Sequence, residues 1–277
     1  MSHWGTNRVM QQVSRLCGRL LQRKGGPRVE AQPVPAAGGA DLPSVNTAQD
    51  GRRWRFAQQM EREFWLNLDE AEFQAQEAGY RCLAGQLASY ARTYCGEWDD
   101  IRVLQIGCAV EDAVMYFPYG KRYAIDPLAD FYIRHFERAR NSAVTYFTAR
   151  GEAVPFTTDV FDLVICANVL DHVFEPQKLL REASRTLRTG GLFFLSVDVY
   201  SADIRMRRVE QEAAGEVVDP CHPHTFTHEI LQHLVETTGF QVLAAEDSAS
   251  GKGDESVRFE LTLLNVKKTY GRDEGGS

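Results

Sequence analysis

The chain has 277 residues, 44% apolar and 25% charged, with 31 Lys and Arg against 38 Asp and Glu for a formal net charge of −7. These are the proportions of a globular chain with enough material for a sizeable core, and the negative balance supplies no global field for nucleic acid or anionic lipid. The longest apolar runs, such as Leu192 to Leu195, are strand-length, far short of the roughly 18 residues a membrane helix needs, so no integral membrane segment is expected.

In chain order, residues 1–24 come first, a basic and helix-compatible segment. Arg8, Arg15, Arg19, Arg23, Lys24 and Arg28 occur there or just beyond without an acid, and Val9, Val13, Leu16 and Leu20 recur at near-helical spacing. Three readings stay open: a frayed extension, a targeting peptide, or a surface for a protein partner or a membrane. Residues 25–51 are rich in Gly, Pro and Ala and cannot bury enough apolar surface to offset their ordering entropy, which predicts a flexible linker. The six cysteines, Cys17, Cys82, Cys95, Cys108, Cys166 and Cys221, contain no CxxC pair and follow no apolar signal segment. Reduced thiols and a cytoplasmic location are the expectation.

A helical cap is predicted over 52–96: a short helix from Trp54 to Leu66, then a long one from about Asp69 to Tyr94 with Phe73, Tyr80, Leu83, Leu87, Tyr90 and Tyr94 on one face. From 97 to 270 the pattern changes to short β-rich runs at 101–106, 121–125, 143–147, 161–167 and 191–199. Pro176 suits the first position of a helix whose buried stripe is Leu179, Leu180, Ala183 and Leu187 and whose stop is Gly190-Gly191. Thr227 is placed to cap another, with Ile230, Leu231, Leu234 and Val235 inward until Gly239. The last two strands, near 240–245 and 257–266, are joined by a connection too short for a helical crossover and should pair antiparallel. The expected fold is α/β: a Rossmann-like, doubly wound, mostly parallel seven-stranded sheet with an antiparallel last strand, an N-terminal helical cap, and a tail at 271–277.

Ligands of such sheets bind beyond the carboxyl ends of the strands. The first strand ends in Gly107-Cys108-Ala109 and the second in Asp126; a glycine permits a tight turn against a ligand, and a carboxylate there can accept both ribose hydroxyls. Nicotinamide dinucleotide and S-adenosylmethionine both offer an adenosine ribose, so this pair does not choose between them. A dinucleotide phosphate loop wants three glycines, and only Gly107 is present.

The series VLQIGC (103–108), YAIDPLADFY (123–132), EAVPFTTDVFDLVICANVLDHV (152–173), EPQKLLREASRTLRTGGLFFLSV (175–197) and HTFTHEILQHLVETTGF (224–240) resembles the class I S-adenosylmethionine-dependent methyltransferases, within them the ubiquinone/menaquinone-methyltransferase-like, type 11 group. The resemblance implies S-adenosyl-L-methionine as cofactor and a small-molecule acceptor methylated on O, N or C. It places Gln105, Gly107, Cys108 and Ala109 at the methionine part of the cofactor, Asp126 on the ribose, Pro127 and Leu128 beside the adenine, and Arg150, Gly151 and Glu152 along its edge. Asn168 and Val169 would face the methyl-transfer site, and His172 is the candidate general base, with Asp171 beside it.

Four positions depart from the family pattern. Gln105 stands for an acid, Ala109 and Glu111 for glycines, and Arg150 for an acid near the adenine. They favour a second reading, a non-catalytic relative that binds or scaffolds. Cys221, His222 and His224, with His228 beyond, offer zinc-type ligands, but their spacing is not a standard zinc signature and no metal is expected. Trp54, Phe56, Phe64 and Trp65 could wall a planar acceptor, and Arg205, Arg207 and Arg208, within residues 200–226, an anionic one.

Overall fold

The computed structural model describes residues 47–95, 100–216, 218–219, 221–249 and 256–266. The basic segment 1–24, most of the expected linker and the tail 271–277 lie outside the described residues. Five β-rich runs become β1 (Arg102–Ile106), β2 (Lys121–Asp126), β3 (Val144–Thr148), β4 (Phe161–Ala167) and β5 (Leu187–Tyr200), followed by β6 (Phe240–Ala249) and β7 (Ser256–Asn265). One sheet results, in the order β3-β2-β1-β4-β5-β7-β6. The pairings from β3 to β5 are parallel, and β7 lies antiparallel between β5 and β6. The chain winds outward from β1 to β3 and then returns to the other side of β1, so the β1/β4 boundary is the topological switch point where a crevice opens.

Alternation along the strands sends side chains to two covered faces. Leu104, Ile106, Val164 and Cys166 meet Leu179, Leu180 and Ala183 of α5 (Pro176–Thr186) and Leu231, Leu234 and Val235 of α7 (His228–Thr237). On the opposite face, Val103, Leu163 and Ile165 meet Ala84, Leu87, Ala88 and Ala91 of α2 (Glu70–Cys95). The long helix expected as a cap is therefore also a structural layer; its alanines let it approach the sheet closely. A third cluster joins Trp65 of α1 (Thr47–Leu66) and Phe73 to Val110, and to Leu128 and Tyr132 at α4 (Ala129–His135), so α1 is held over the switch point.

Three features depart from expectation. Helix α1 begins at Thr47, inside the segment expected to be linker: the cost of Gly51 in a helix, about 1 kcal/mol against Ala, is carried by the turns around it. A helix unread in the sequence, α6 (Ala202–Ala213), starts at Ser201, whose hydroxyl accepts from the Ile204 amide; none of its residues is buried, and Met206 and Val209 stand exposed, so its apolar positions mark no core face. Strand β5 begins at Leu187 and passes through Gly190, φ 76°, with an irregular register before Leu192.

The far end of β7 is fixed by Asn265, fully buried, whose amide donates to the carbonyls of Ser184, Leu187 and Arg188 and whose oxygen accepts from the Ser184 hydroxyl. Asn265→Leu leaves those acceptors unpaired in the core. Urea unfolding should show a loss of about 3 kcal/mol, with an unchanged slope.

Candidate active site

The backbone at the switch point is shaped by a left-handed residue directly after β1. Gly107 has φ +72°, and its amide donates to the Ile125 carbonyl at 2.8 Å. A Cβ there would stand 2.3 Å from a Val169 methyl, so the loops after β1 and β4 meet at a distance only glycine allows. Ala109, φ 45°, repeats the left-handed turn without glycine's freedom and donates its amide to Asp126 Oδ2 at 3.2 Å. Asp126 Oδ1 accepts from the Leu128 amide at 2.7 Å. Burial pushes the Asp126 carboxyl up to about 6, while the amides of Leu128, Ala109 and Cys108 pull it down. Across the crevice Asn168, φ 58°, donates its amide to the Ser196 carbonyl, and its side-chain Oδ1 is buried without a hydrogen-bond partner.

These groups line a cavity of about 420 Å³ that crosses the sheet from β2 to β7 beneath α1 and α2. Gly107, Ala109, Asp126, Pro127, Leu128, Gly151, Glu152, Asn168, Val169 and His172, all expected at the site, are in its wall. Gln105 and Cys108 are not. The Cys108 side chain turns into the core beside Val114 and Phe117, where burial raises its thiol well above the usual range. Gln105 donates its amide to Asp112 Oδ2 at 3.1 Å, and Asp112, which caps α3 (Ala113–Tyr116), reaches the cavity wall in its place. Burial holds the Asp112 carboxyl well above its ordinary value, and the Ala113 amide opposes this.

Several wall residues have work that the sequence does not announce. Glu152 Oε1 accepts from the amides of Phe174 and Glu175, pinning the loop before α5. Glu111 is buried outside the wall, 3.4 Å from both Tyr116 and Arg138. Arg150 lies with its guanidinium 4.1 Å from the centre of the Trp54 ring. Trp54, Phe64 and Trp65 contribute to the wall, whereas Phe56 is 46% exposed and does not. Arg205, Arg207 and Arg208 lie on α6 away from the wall; Arg208 stacks on Tyr200 at 4.1 Å. The far end is walled by Tyr80, Leu83, Phe194, Ser196, Arg258 and Glu260, and the charge of Arg258 is matched by buried Asp198. Strand β7 reaches this end only through the sheet order, so nothing in its local sequence marks Arg258 or Glu260. Asp112, an Asp immediately before a helix, is the residue a capping signal could have marked.

Beside Asn168 the loop after β4 carries His172, whose amide donates to the Val169 carbonyl. Its ring meets that of His222 at 4.4 Å between centroids, nearly edge to face. His224 and His228 are placed elsewhere, His224 Nε2 at the Val173 carbonyl and His228 Nε2 at Asp247, both at 2.8 Å.

A family model described as a methyltransferase domain, type 11, matches residues 104–195, from β1 into β5. This stretch is a class I methyltransferase domain. Its relatives include the rat thiol S-methyltransferase TMT1B, 28% identical over 152 residues, covering 50% of this chain and 60% of that protein. The human thiol S-methyltransferase TMT1A is 30% identical over 115 residues, covering 39% of this chain and 47% of that one. The chain thus spans roughly half the length of these curated relatives. Among solved structures, a geranyl diphosphate C-methyltransferase from Streptomyces coelicolor A3(2), in complex with Mg2+, geranyl diphosphate and S-adenosyl-L-homocysteine, superposes with a TM-score of 0.52 at 13% identity, covering 72% of this chain and 86% of its own. That likeness concerns the methyltransferase fold. The matches support the class and do not single out the ubiquinone/menaquinone-like group within it.

The loop after β1 in this methyltransferase domain yields two substitutions of opposite effect. Gly107→Ala must move Val169 and take up a left-handed backbone, and chemical denaturation should show a loss of about 3 kcal/mol. Ala109→Gly relieves the strain at φ 45°, about 1–2 kcal/mol, against a slightly smaller gain in unfolded-chain entropy. It should leave stability unchanged or raise it by up to about 1 kcal/mol.

Proposed function

We propose that this domain transfers a methyl group from S-adenosyl-L-methionine to a small, largely apolar nucleophile, with a thiol as the leading acceptor class. The observation that carries the reading is the Asp126 carboxylate, buried in the cavity wall at the end of β2 opposite the Gly107 turn. Two backbone amides occupy one lone pair on each of its oxygens, which leaves acceptor capacity for two ribose hydroxyls. The partnerless Asn168 Oδ1 and the close approach at Gly107 fit a polar ligand lying against the backbone. The Gly107–Ala109 turn holds the methionine part, Pro127 and Leu128 flank the adenine, Gly151 and Glu152 lie along its edge, and Asn168 and Val169 face the transfer site. When bound, the cofactor supplies a methyl group already made electrophilic by its sulfonium. The remaining task of the chain is to position the nucleophile in line and exclude water.

The acceptor class is supported by the names of the rat and human relatives and by the cavity itself. Trp54, Phe64, Trp65, Leu83 and Phe194 give it an apolar wall, and the nearby Arg258 is already neutralised by Asp198, so no spare cation recruits an anionic acceptor there. The rival reading, a non-catalytic scaffold, draws on Glu111, Gln105, Ala109 and Arg150. Glu111 is turned toward Arg138, Asp112 supplies a carboxylate beside Gln105, the Ala109 turn is still left-handed, and Arg150 is stacked on Trp54. None of the four fills the cavity.

Calorimetric titration with S-adenosylhomocysteine tests the reading. Binding in the micromolar range should weaken about 100-fold in Asp126→Ala, since two hydrogen bonds to a charged acceptor are lost. The pH dependence has a defined sign: the ionised carboxylate is the acceptor, so affinity is full above about 6 and falls about tenfold per pH unit below it. Asp126→Asn should abolish that dependence. A folded chain that binds neither S-adenosylmethionine nor S-adenosylhomocysteine overturns the enzyme reading.

A further inference from the structure

The sequence places Asp171 and His172 on one loop and His222 fifty residues further on; the fold brings them to one point at the edge of the cavity. His172 Nε2 lies 3.9 Å from Asp171 Oδ1, and His222 Nε2 lies 4.0 Å from Asp171 Oδ2, with all three candidate donor atoms within 4.8 Å of one another. Behind each ring stands a second carboxylate: Asp219 Oδ1 at 2.8 Å from His222 Nδ1, and Glu61 Oε2 at 4.0 Å from His172 Nδ1.

Asp219, at hydrogen-bond distance, orients the His222 ring, while Glu61 stands behind His172 beyond that distance. A neutral imidazole that donates Nδ1–H to a carboxylate turns the lone pair of Nε2 the other way, here toward Asp171. Two imidazole lone pairs and a carboxylate that is 1% exposed then converge on one small volume, an arrangement that a cation stabilises. The frame around it is tied together: the His224 amide donates to the Asp171 carbonyl, the His172 amide to the Val169 carbonyl, and the Tyr200 amide to the Phe226 carbonyl.

We infer that Asp171, His172 and His222 form a binding site for a divalent first-row transition ion, zinc by preference. Two imidazoles and one carboxylate are a ligand set zinc takes in sites that keep a further position open, and zinc bonds of about 2.0–2.2 Å hold neighbouring ligand atoms roughly 3.0–3.5 Å apart. The side chains need to close by about an ångström. His172 and His222 are in the cavity wall and Asp171 is behind them, so the open position faces the cavity. The absence of metal expected from sequence followed the spacing of Cys221, His222, His224 and His228; the folded ligand set uses only His222 of these. His172 becomes a ligand rather than the general base.

The test is titration of the untagged full-length chain, stripped with chelator, with Co2+ followed by its visible absorption and then with Zn2+ in competition. One equivalent should bind with a Kd in the micromolar range or tighter. His172→Ala and His222→Ala should each weaken binding about 100-fold, and Asp219→Asn about tenfold through loss of ring orientation. His228→Ala should change nothing. Cooperative thermal unfolding checks each variant, and His222→Gln replaces His222→Ala if the latter does not fold. No cobalt spectrum in the wild-type chain, or binding undiminished in the His172 and His222 variants, overturns the site. S-adenosylhomocysteine binding is read separately, so failure of the metal site and failure of the methyltransferase reading are distinguishable.

Discussion

The contact on which the site depends is the approach of the Gly107 backbone to Val169. It joins the loops after β1 and β4 at the point where the sheet reverses its winding, and it exists only because residue 107 has no side chain. Once that turn is made, the following amides point back to the end of β2, where the Ala109 amide meets Asp126. The turn also delivers Val110 to the cluster of Trp65, Phe73, Leu128 and Tyr132, so the helices above the crevice rest on the loop that shapes its floor. Cavity and cover share one cause.

The cover shows how layers of an α/β fold can serve twice. Helix α2 carries small alanines toward the sheet and Tyr80, Cys82 and Leu83 toward the cavity. Its position is therefore set by core packing, which is strong and continuous, rather than by contacts to a ligand. Helix α1 is held mainly through Trp65, whose indole N–H also donates to Glu61 Oε1 at 2.7 Å. The shape of this wall is thus set by packing within the chain.

The parts legible in the sequence are those with local physical signals. Strands such as 161–167 read as buried runs, and α5 reads from Pro176 and its leucines, because each must hide an apolar stripe. Gly107 and Asp126 read from their places at strand ends. What stayed illegible was made by long-range geometry or hides no apolar face. Helix α6 buries nothing, Gln105 and Cys108 turn away from the cavity because their strand and turn point them into packed neighbours, and Arg258 enters through a strand inserted between β5 and β6. The meeting of His172 with His222 belongs to this second kind: neither flank carries a pattern that names the other.

The electrostatics of the wall follow from the same burial. Glu61, Asp112, Asp126, Glu152 and Glu260 face the cavity, and the two arginines in the wall, Arg150 and Arg258, are engaged by Trp54 and Asp198. Desolvation is the largest influence on Asp112, Asp126 and Glu260, and in each it raises the carboxyl. Carboxylates held at that disadvantage gain more from a positive or hydrogen-bond-donating neighbour than carboxylates in water do, because the low dielectric that penalises them also strengthens the attraction. The strand ends thus surround a cation with carboxylates, and Asp126 keeps acceptor capacity beyond what the Ala109 and Leu128 amides occupy. A ligand carrying ribose hydroxyls and a positive charge meets both demands, whereas an anionic dinucleotide brings the same ribose hydroxyls to Asp126 but sets its phosphates among carboxylates.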